Sequence, residues 1–123
     1  MAAPNLIGAT TINGKTTGAN LTTTSATSIL NNASSSGKCL KINTLNVTNY
    51  TVSAASISVS WYNAASLGGT AYAIAGNISV PANSTLNIID KTSQYYLEEN
   101  TSLGATAVTA NALIVTCSYE DIS

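Results

Sequence analysis

The chain has 123 residues, which suits one domain and leaves no room for a second domain with its own core. Nine side chains are charged, none of them arginine or histidine, and the net charge is −1. These counts exclude a histidine base, a histidine-bound metal and an arginine clamp for phosphate. They also argue against nucleic-acid binding, which depends on many basic side chains. We therefore expect no enzymatic activity, no cofactor, no metal and no nucleic-acid partner.

Uncharged polar residues replace the missing charges. Threonine, serine and asparagine make up 39% of the chain, and phenylalanine is absent. β-Branched residues favour strands, and no long stretch has the apolar spacing of an amphipathic helix. The sequence therefore predicts an all-β fold, an antiparallel β-sandwich of jelly-roll or Ig-like type with about seven to nine short strands. No apolar run approaches the ~20 residues that cross a bilayer, and no signal peptide is recognisable, so we expect synthesis in a cytoplasm and no membrane partner.

The first part of the chain lacks a regular pattern. Residues 1–19 are predicted to form an extended N-terminal arm, available to a neighbouring subunit, and residues 20–123 the β-sandwich domain. Leu6, Ile7 and Ile12 are the large apolar anchors of the arm. The run 14–16 (Gly-Lys-Thr) resembles the end of a phosphate-binding loop, but the earlier glycine and the following helix are missing. An Asn-Gly turn at 13–14 is the favoured interpretation.

Strands alternate with turns through the rest of the chain. They are predicted at 20–30, 38–48, 55–62, 70–75, 77–80, 85–91, 95–98, 102–108 and 113–120. In the third of these, Ile57, Val59 and Trp61 share the core face. In 38–48 the apolar residues change from even positions (Leu40, Ile42) to odd positions (Leu45, Val47). This change of face predicts a β-bulge near residues 43–44. The last strand is apolar on one face and partly apolar on the other, so we expect it to lie centrally. Turns are predicted at 13–14, 34–37, 68–69, 81–83 and 111.

Two groups of residues allow a chemical interpretation beside a structural one. An immunoglobulin core has a disulfide between its sheets with a tryptophan packed on it, and this chain has residues of those types in Cys39, Trp61 and Cys117. The favoured interpretation is instead that the two cysteines are buried free thiols that act as small apolar residues. The carboxylates at 98–99 and 120–121 are sequence neighbours, which point to opposite faces of a strand and so form no acid/base dyad. We interpret them as solvated strand ends, with a shared calcium ion as a minor alternative.

The low charge predicts association. A standard interface covers about 800 Å² of each partner, and a patch of that size on this surface contains about one charge. Burial of such a patch avoids the cost of desolvating unpaired ions. Tyr95 and Tyr96 can stack on a sugar or cover a subunit contact. The predicted interface residues are Leu6, Ile7, Ile12, Lys15, Tyr95 and Tyr96.

Four segments carry a resemblance to a known group of proteins. They are Tyr62–Tyr72 (YNAASLGGTAY), Ile88–Thr92 (IIDKT), Tyr96–Glu99 (YLEE) and Cys117–Ile122 (CSYEDI). Across roughly residues 20–123 the chain resembles small virion structural proteins of marine tailed phages, including T4-like cyanophages. The matching segments are packing and turn segments and contain no known functional residues.

The resemblance implies a non-enzymatic virion component made in the host cytoplasm. The leading hypothesis is a capsid decoration, or cement, protein on the capsid exterior, with the major capsid protein as its partner and self-association into a symmetric oligomer such as a trimer. The alternative is a tail, neck or fibre component that binds a host glycan through Tyr95, Tyr96 or Trp61.

Overall fold

A computed structural model describes residues 5–123, which form two packed antiparallel β-sheets. A single 3₁₀ turn, Leu6–Gly8, precedes the strands. The strands are β1 (Ile12–Leu21), β2 (Thr27–Asn32), β3 (Cys39–Asn49), β4 (Ala55–Ala64), β5 (Gly68–Val80), β6 (Ser84–Ile89), β7 (Tyr95–Leu97), β8 (Thr101–Ala107) and β9 (Leu113–Ile122). The predicted all-β sandwich and its strand number are confirmed. No helix within the described range is long and apolar enough to span a membrane.

The strand order shows which kind of sandwich this is. One sheet has the order β1-β9-β3-β6, with β7 also paired to β3, and the other has the order β2-β8-β4-β5. Each sheet thus combines early and late strands of the chain, which is the arrangement of a jelly roll. Of the two predicted types, the jelly roll is therefore the one that the chain adopts.

The core lies between the sheets and is aliphatic. Ile57 and Val59 on β4 are fully buried, as their alternation predicts, whereas Trp61 on the same face is half-buried at the edge of the core. The largest buried side chains come from both sheets: Leu21, Ile42, Leu45, Val47, Val80, Ile89, Leu97, Leu103, Leu113 and Val115.

Two detailed predictions about β3 and β9 are confirmed. The β3–β9 register shifts between Ile42 and Thr44, where the change of parity indicated a bulge. β9 pairs with β1 on one side and β3 on the other, so the last strand is central in its sheet. Both of its edges are therefore hydrogen-bonded, while its second face is half-buried, with Thr116 exposed.

The boundary of the N-terminal arm differs from the prediction. Residues 12–21 form β1 and pair with β9 along their whole length, from Ile12 opposite Ile122 to Leu21 opposite Leu113. The predicted Asn13–Gly14 turn is therefore wrong, because both residues lie in paired strand. Residues 1–4, also assigned to the arm, lie outside the described residues.

Two other strand boundaries also change. The predicted strand 20–30 is two strands, the end of β1 and β2, which belong to different sheets and are separated by residues 22–26. The predicted strands 70–75 and 77–80 are one strand, β5, which continues through Asn77 although its φ is +53°. An Asn tolerates this left-handed conformation better than most residues, so the strand bends and does not end.

The remaining predicted turns coincide with positive-φ residues. Ser35 and Gly37, Asn83 and Asn111 have φ between 54° and 71°. The turn expected at 68–69 lies just before it, at residues 65–67, with Gly68 already the first residue of β5. Gly69 has φ +67°, and a Cβ there would lie 2.1 Å from the Asn63 Oδ1 atom, so this position requires glycine.

The strands define two ends of the sandwich. At the arm end, β1 and β3 begin and β9 ends, next to the Leu6–Gly8 turn. At the loop end, four loops connect the strands: 22–26, 50–54, 81–83 and 108–112.

Candidate interaction surfaces

The segment before β1 is fixed to the end of β9. The backbone N–H groups of Thr10 and Thr11 donate to the carbonyl of Ser123 at 2.8 and 2.9 Å, and Ser123 donates back to Thr11 at 2.9 Å. The 3₁₀ turn begins with Asn5, whose side chain accepts a hydrogen bond from the N–H of Ile7 at 3.1 Å. The described part of the arm therefore lies against its own domain.

The apolar side chains of this segment nevertheless point into solvent. Ile7 is 97% exposed, Ile12 is 65% exposed and Leu6 is 41% exposed. The Ile7 side chain contributes nothing to the core of its own domain. Exposed isoleucine of this extent is stabilised when a partner covers it, at roughly 25 cal/mol per Å² of apolar area.

Lys15, the fourth predicted interface residue, belongs to an ionic cluster within the chain. The Lys15 Nζ and Lys38 Nζ atoms lie 3.1 and 3.3 Å from the same Oδ2 atom of Asp121. The Asp121 side chain is 7% exposed, while the two lysine side chains remain about half exposed, at 46% and 47%. Lys15 thus stabilises the arm end from within.

The electrostatics of Asp121 follow from this geometry. Burial raises the pKa of the Asp121 carboxyl, but hydrogen bonds from Lys15 and Lys38 and their positive charges outweigh burial, so that the pKa lies below its ordinary value. The hydrogen bond to Asp121, followed by the charge of Asp121, raises the pKa of Lys15. At neutral pH the Asp121 carboxylate is ionised, and the two lysines balance its charge. It is therefore a poor proton donor or acceptor.

Tyr95 and Tyr96 lie in an aromatic groove. Trp61 and Tyr72 are cross-strand neighbours on β4 and β5, with ring centroids 5.6 Å apart. Tyr95 and Tyr96 on β7 come from the other sheet and complete a groove of about 230 Å³ at the seam between the sheets. Ala73 and Ile74 form the rest of its lining, so the lining is uncharged.

The predicted interface residues therefore fall into three places. Leu6, Ile7 and Ile12 lie at the arm end, Lys15 is bound to Asp121, and the two tyrosines line the groove. Tyr72 was missed by sequence reasoning. It lies opposite Trp61 across the β4–β5 hairpin, although the two residues are six and five residues from the centre of the 65–67 turn, because the register shifts between Tyr62 and Ala64. A regular hairpin pattern would have placed it close to Trp61 but not directly opposite.

The two cysteines are free and buried. In the β3–β9 register Cys39 faces Ile122, whereas Cys117 faces Leu45, so that about 15–20 Å of strand separate the two. A disulfide requires Cα atoms within about 7 Å, and the Ig-like pairing is therefore excluded within the chain. Burial raises the pKa of Cys117 to about 12, and burial followed by the charge of Glu98 raises the pKa of Cys39. Neither thiol is activated as a nucleophile.

The prediction of solvated strand ends is wrong for Asp121, because the carboxylate is buried beside Lys15 and Lys38. Glu120, on the opposite face of β9, is half-buried, so the two neighbours form no dyad. Asp90 accepts hydrogen bonds from Thr92 and Ser93 in its own turn, which lowers the pKa of its carboxyl. Residues 5–123 contain no group of three or more possible metal-ligating side chains among His, Cys, Asp and Glu.

Comparisons with known proteins give a likeness of fold. No family model and no curated protein matches the sequence. Among solved structures, the chain is similar to a subunit of Bacillus endospore appendages, described as a family of disulfide-linked pili. The identity is 11%, the TM-score is 0.55, and 98% of this chain and 95% of that chain are covered. A second structure, from infectious bursal disease virus strain Gx, has a TM-score of 0.29 and 12% identity over 89% of this chain and 42% of that one. At this identity, the likeness to the pilus subunit concerns the fold alone.

Proposed function

We propose that this chain is a non-enzymatic structural subunit of a phage virion, and that it decorates the exterior of the assembled capsid and stabilises it. The observation that carries the proposal is the exposure of large apolar side chains on a body with few charges. Ile7 is 97% exposed and Val52 is 87% exposed, whereas the whole chain has nine charged side chains. When neighbours cover such a surface, apolar side chains leave water and few charges have to be desolvated.

Two further observations support the proposal. The sequence resembles small virion proteins of marine tailed phages through its packing and turn segments. The pilus subunit with a similar fold also belongs to an assembly of many copies. A sandwich fold hosts many functions, and for this reason the proposal depends on the surface and not on the fold.

The mechanism of stabilisation is mass action. A subunit that binds the mature lattice of the major capsid protein, and not its unassembled form, lowers the free energy of the mature state. The gain is RT ln(1 + [L]/Kd) for each site, about 2.7 kcal/mol when the free subunit is at 100 times its Kd. No side chain needs to perform a chemical step for this effect.

Co-sedimentation tests the proposal. The purified chain is incubated with mature heads of its phage that lack it, and separately with the unassembled major capsid protein. We expect saturable binding to the heads, hundreds of copies at saturation, and little binding to the free protein. Equal binding to the unassembled protein, or binding to neither preparation, contradicts the proposal.

The aromatic groove favours a second candidate function, a tail, neck or fibre component that binds a host glycan. Its four rings, from Trp61, Tyr72, Tyr95 and Tyr96, combine apolar faces with polar atoms at an open, uncharged site. This combination suits the alternating C–H and hydroxyl surface of a neutral sugar.

Fluorescence separates the two candidates, because Trp61 is the single tryptophan of the chain. A glycan that binds in the groove changes the emission of Trp61, and Tyr96→Ala should weaken that change, while Tyr50→Ala, at the other end of the sandwich, should not. A cement protein gives no response to any member of a glycan array.

A further inference from the structure

The charged side chains are distributed unequally over the molecule. None of them lies in β2, β8, β4 or β5, the strands of the second sheet. Along the first sheet they lie at or toward the arm end. The one nearest the loop end, Asp90, follows Ile89, which pairs with Leu45 in the middle of β3. All nine are Lys15, Lys38, Lys41, Asp90, Lys91, Glu98, Glu99, Glu120 and Asp121.

The loop end therefore has no charged side chain at all. Its four loops read TTTSA at 22–26, YTVSA at 50–54, PAN at 81–83 and VTANA at 108–112. Three large apolar residues are exposed there: Val52 at 87%, Val108 at 62% and Tyr50 at 52%. Polar residues could replace these valines without any cost to the core, so their presence on the loops points to a partner.

The loops at this end are fixed to one another. The Tyr50 hydroxyl donates to the carbonyl of Asn111 at 2.8 Å. The Asn83 N–H donates to the carbonyl of Thr51 at 3.1 Å, and the Asn49 side chain donates to the carbonyls of Ser53 and Val80 at 2.8 and 3.0 Å. A preorganised surface of this kind loses little conformational entropy when it is covered.

We propose that the loop end is a contact between two copies of this chain, related by a two-fold axis. In a two-fold contact each patch meets its own copy, so a charge near the axis meets a like charge. The arm end contains charges of both signs, three lysines beside Glu98, Glu99, Glu120 and Asp121, which would have to be desolvated or paired in register. The loop end has none, so two copies can meet there without burying a charge.

The loops alone are somewhat smaller than one side of a standard interface. They contain about eighteen residues, one of them the buried Ala112, against the 20–30 residues that each partner contributes to such an interface. The uncharged surface continues from these loops onto the ends of β4 and β5, which can supply the remainder. Contact between two such ends is of moderate size, and many copies on one lattice would reinforce it.

The inference rests on the proposed function, since it assigns one contact of the assembled subunit. Sedimentation velocity over a wide range of protein concentration, at low and high salt, tests it on the full chain. Val52→Lys and Val108→Lys place a charge at the loop end, and Ile7→Lys is the matched control at the arm end. All three positions are exposed, so that the variants should fold, and circular dichroism verifies this.

We expect the wild-type chain to dimerise with a Kd that salt does not raise. Each loop-end variant should raise the Kd at least tenfold, and Ile7→Lys should leave it unchanged. Val108→Cys should form an intermolecular disulfide, because the native thiols are buried. A wild-type chain that stays monomeric at millimolar concentration, or a dimer that Ile7→Lys disrupts and Val52→Lys does not, overturns the inference. Binding to heads is measured separately and can survive either result.

Discussion

At the scale of single residues, Asp121 is the side chain that links most elements at the arm end. Within residues 5–123 it is the one charged side chain that the fold buries, and it is held by Lys15 of β1 and Lys38 next to β3. It therefore fastens the first strand and the start of the third to the end of the last. Lys15 was predicted as a partner contact because its neighbours lack a pattern. Sequence spacing could not show that Asp121, far along the chain, would lie beside it.

Asp121→Asn removes the carboxylate but keeps the shape of the side chain. The variant loses two charge-assisted hydrogen bonds, and because both lysines are half exposed we expect a loss of about 1–2 kcal/mol in the free energy of unfolding. Urea denaturation measures it. Asp90→Asn is the matched control, since Asp90 is exposed and bonded within its own turn. Equal losses in the two variants would contradict the role of Asp121.

The pKa of Asp121 also predicts a pH dependence. Because its pKa in the folded state lies below the ordinary 3.8, the unfolded state binds more protons between the two values. The contribution of Asp121 is therefore complete well above pH 3.8 and is lost as pH falls through the folded pKa. Unfolding measured from pH 2 to 7 should show a smaller acid loss in Asp121→Asn than in the wild-type chain. Parallel curves would count against this assignment.

At the scale of elements, alternation within a strand was readable and pairing between strands was not. The bulge of β3 and the core face of Ile57 and Val59 depend on neighbouring residues, and both were predicted. β1 was missed because its sequence, INGKTTGANL, contains two glycines and few apolar residues. It is a strand because β9 offers it ten pairing partners, from Ile122 to Leu113.

Gly104 in β8 tests how tightly the second sheet is covered. A Cβ at this position would lie 2.7 Å from Leu67 Cδ2 and 3.0 Å from Tyr62 Cε1, because the 65–67 turn folds over the strand. Leu67 Cδ2 is the end of a flexible side chain and can move aside, whereas the Tyr62 ring is less free, so we expect Gly104→Ala to cost about 1 kcal/mol in the free energy of unfolding through overpacking.

Gly14→Ala in β1 is the control for this measurement. No atom lies within 4 Å of a Cβ at Gly14, so the change should stay within about 0.5 kcal/mol. Chemical denaturation of both variants compares the two positions. If Gly104→Ala is as stable as Gly14→Ala, the turn does not cover β8 as described.

The β3–β9 register predicts the state of the two thiols. Since Cys39 and Cys117 lie several residues apart along paired strands, the chain should contain two free thiols after purification without reductant. Mass spectrometry after alkylation under denaturing conditions counts them. In the native protein Cys117, with its pKa of about 12, should react far more slowly than a free cysteine at pH 8. An intramolecular disulfide would contradict the register.

At the scale of the whole molecule, composition predicted the fold class and the charge-poor surface, but not where the charges gather. The scarcity of charge is visible in the sequence, whereas its confinement to one sheet and one end depends on the jelly-roll order of the strands. The aromatic groove arose in the same way, because Trp61 and Tyr96 belong to different sheets and meet at their seam. Long-range topology thus creates both candidate surfaces.

Cryo-electron microscopy of the virion that contains this chain shows whether neighbours cover this surface. We expect density for the jelly roll on the outside of the head, in hundreds of copies, with exposed residues such as Val52 and Ile7 at contacts with other subunits. Density confined to the tail, or a particle in which these residues face open solvent, would contradict this expectation.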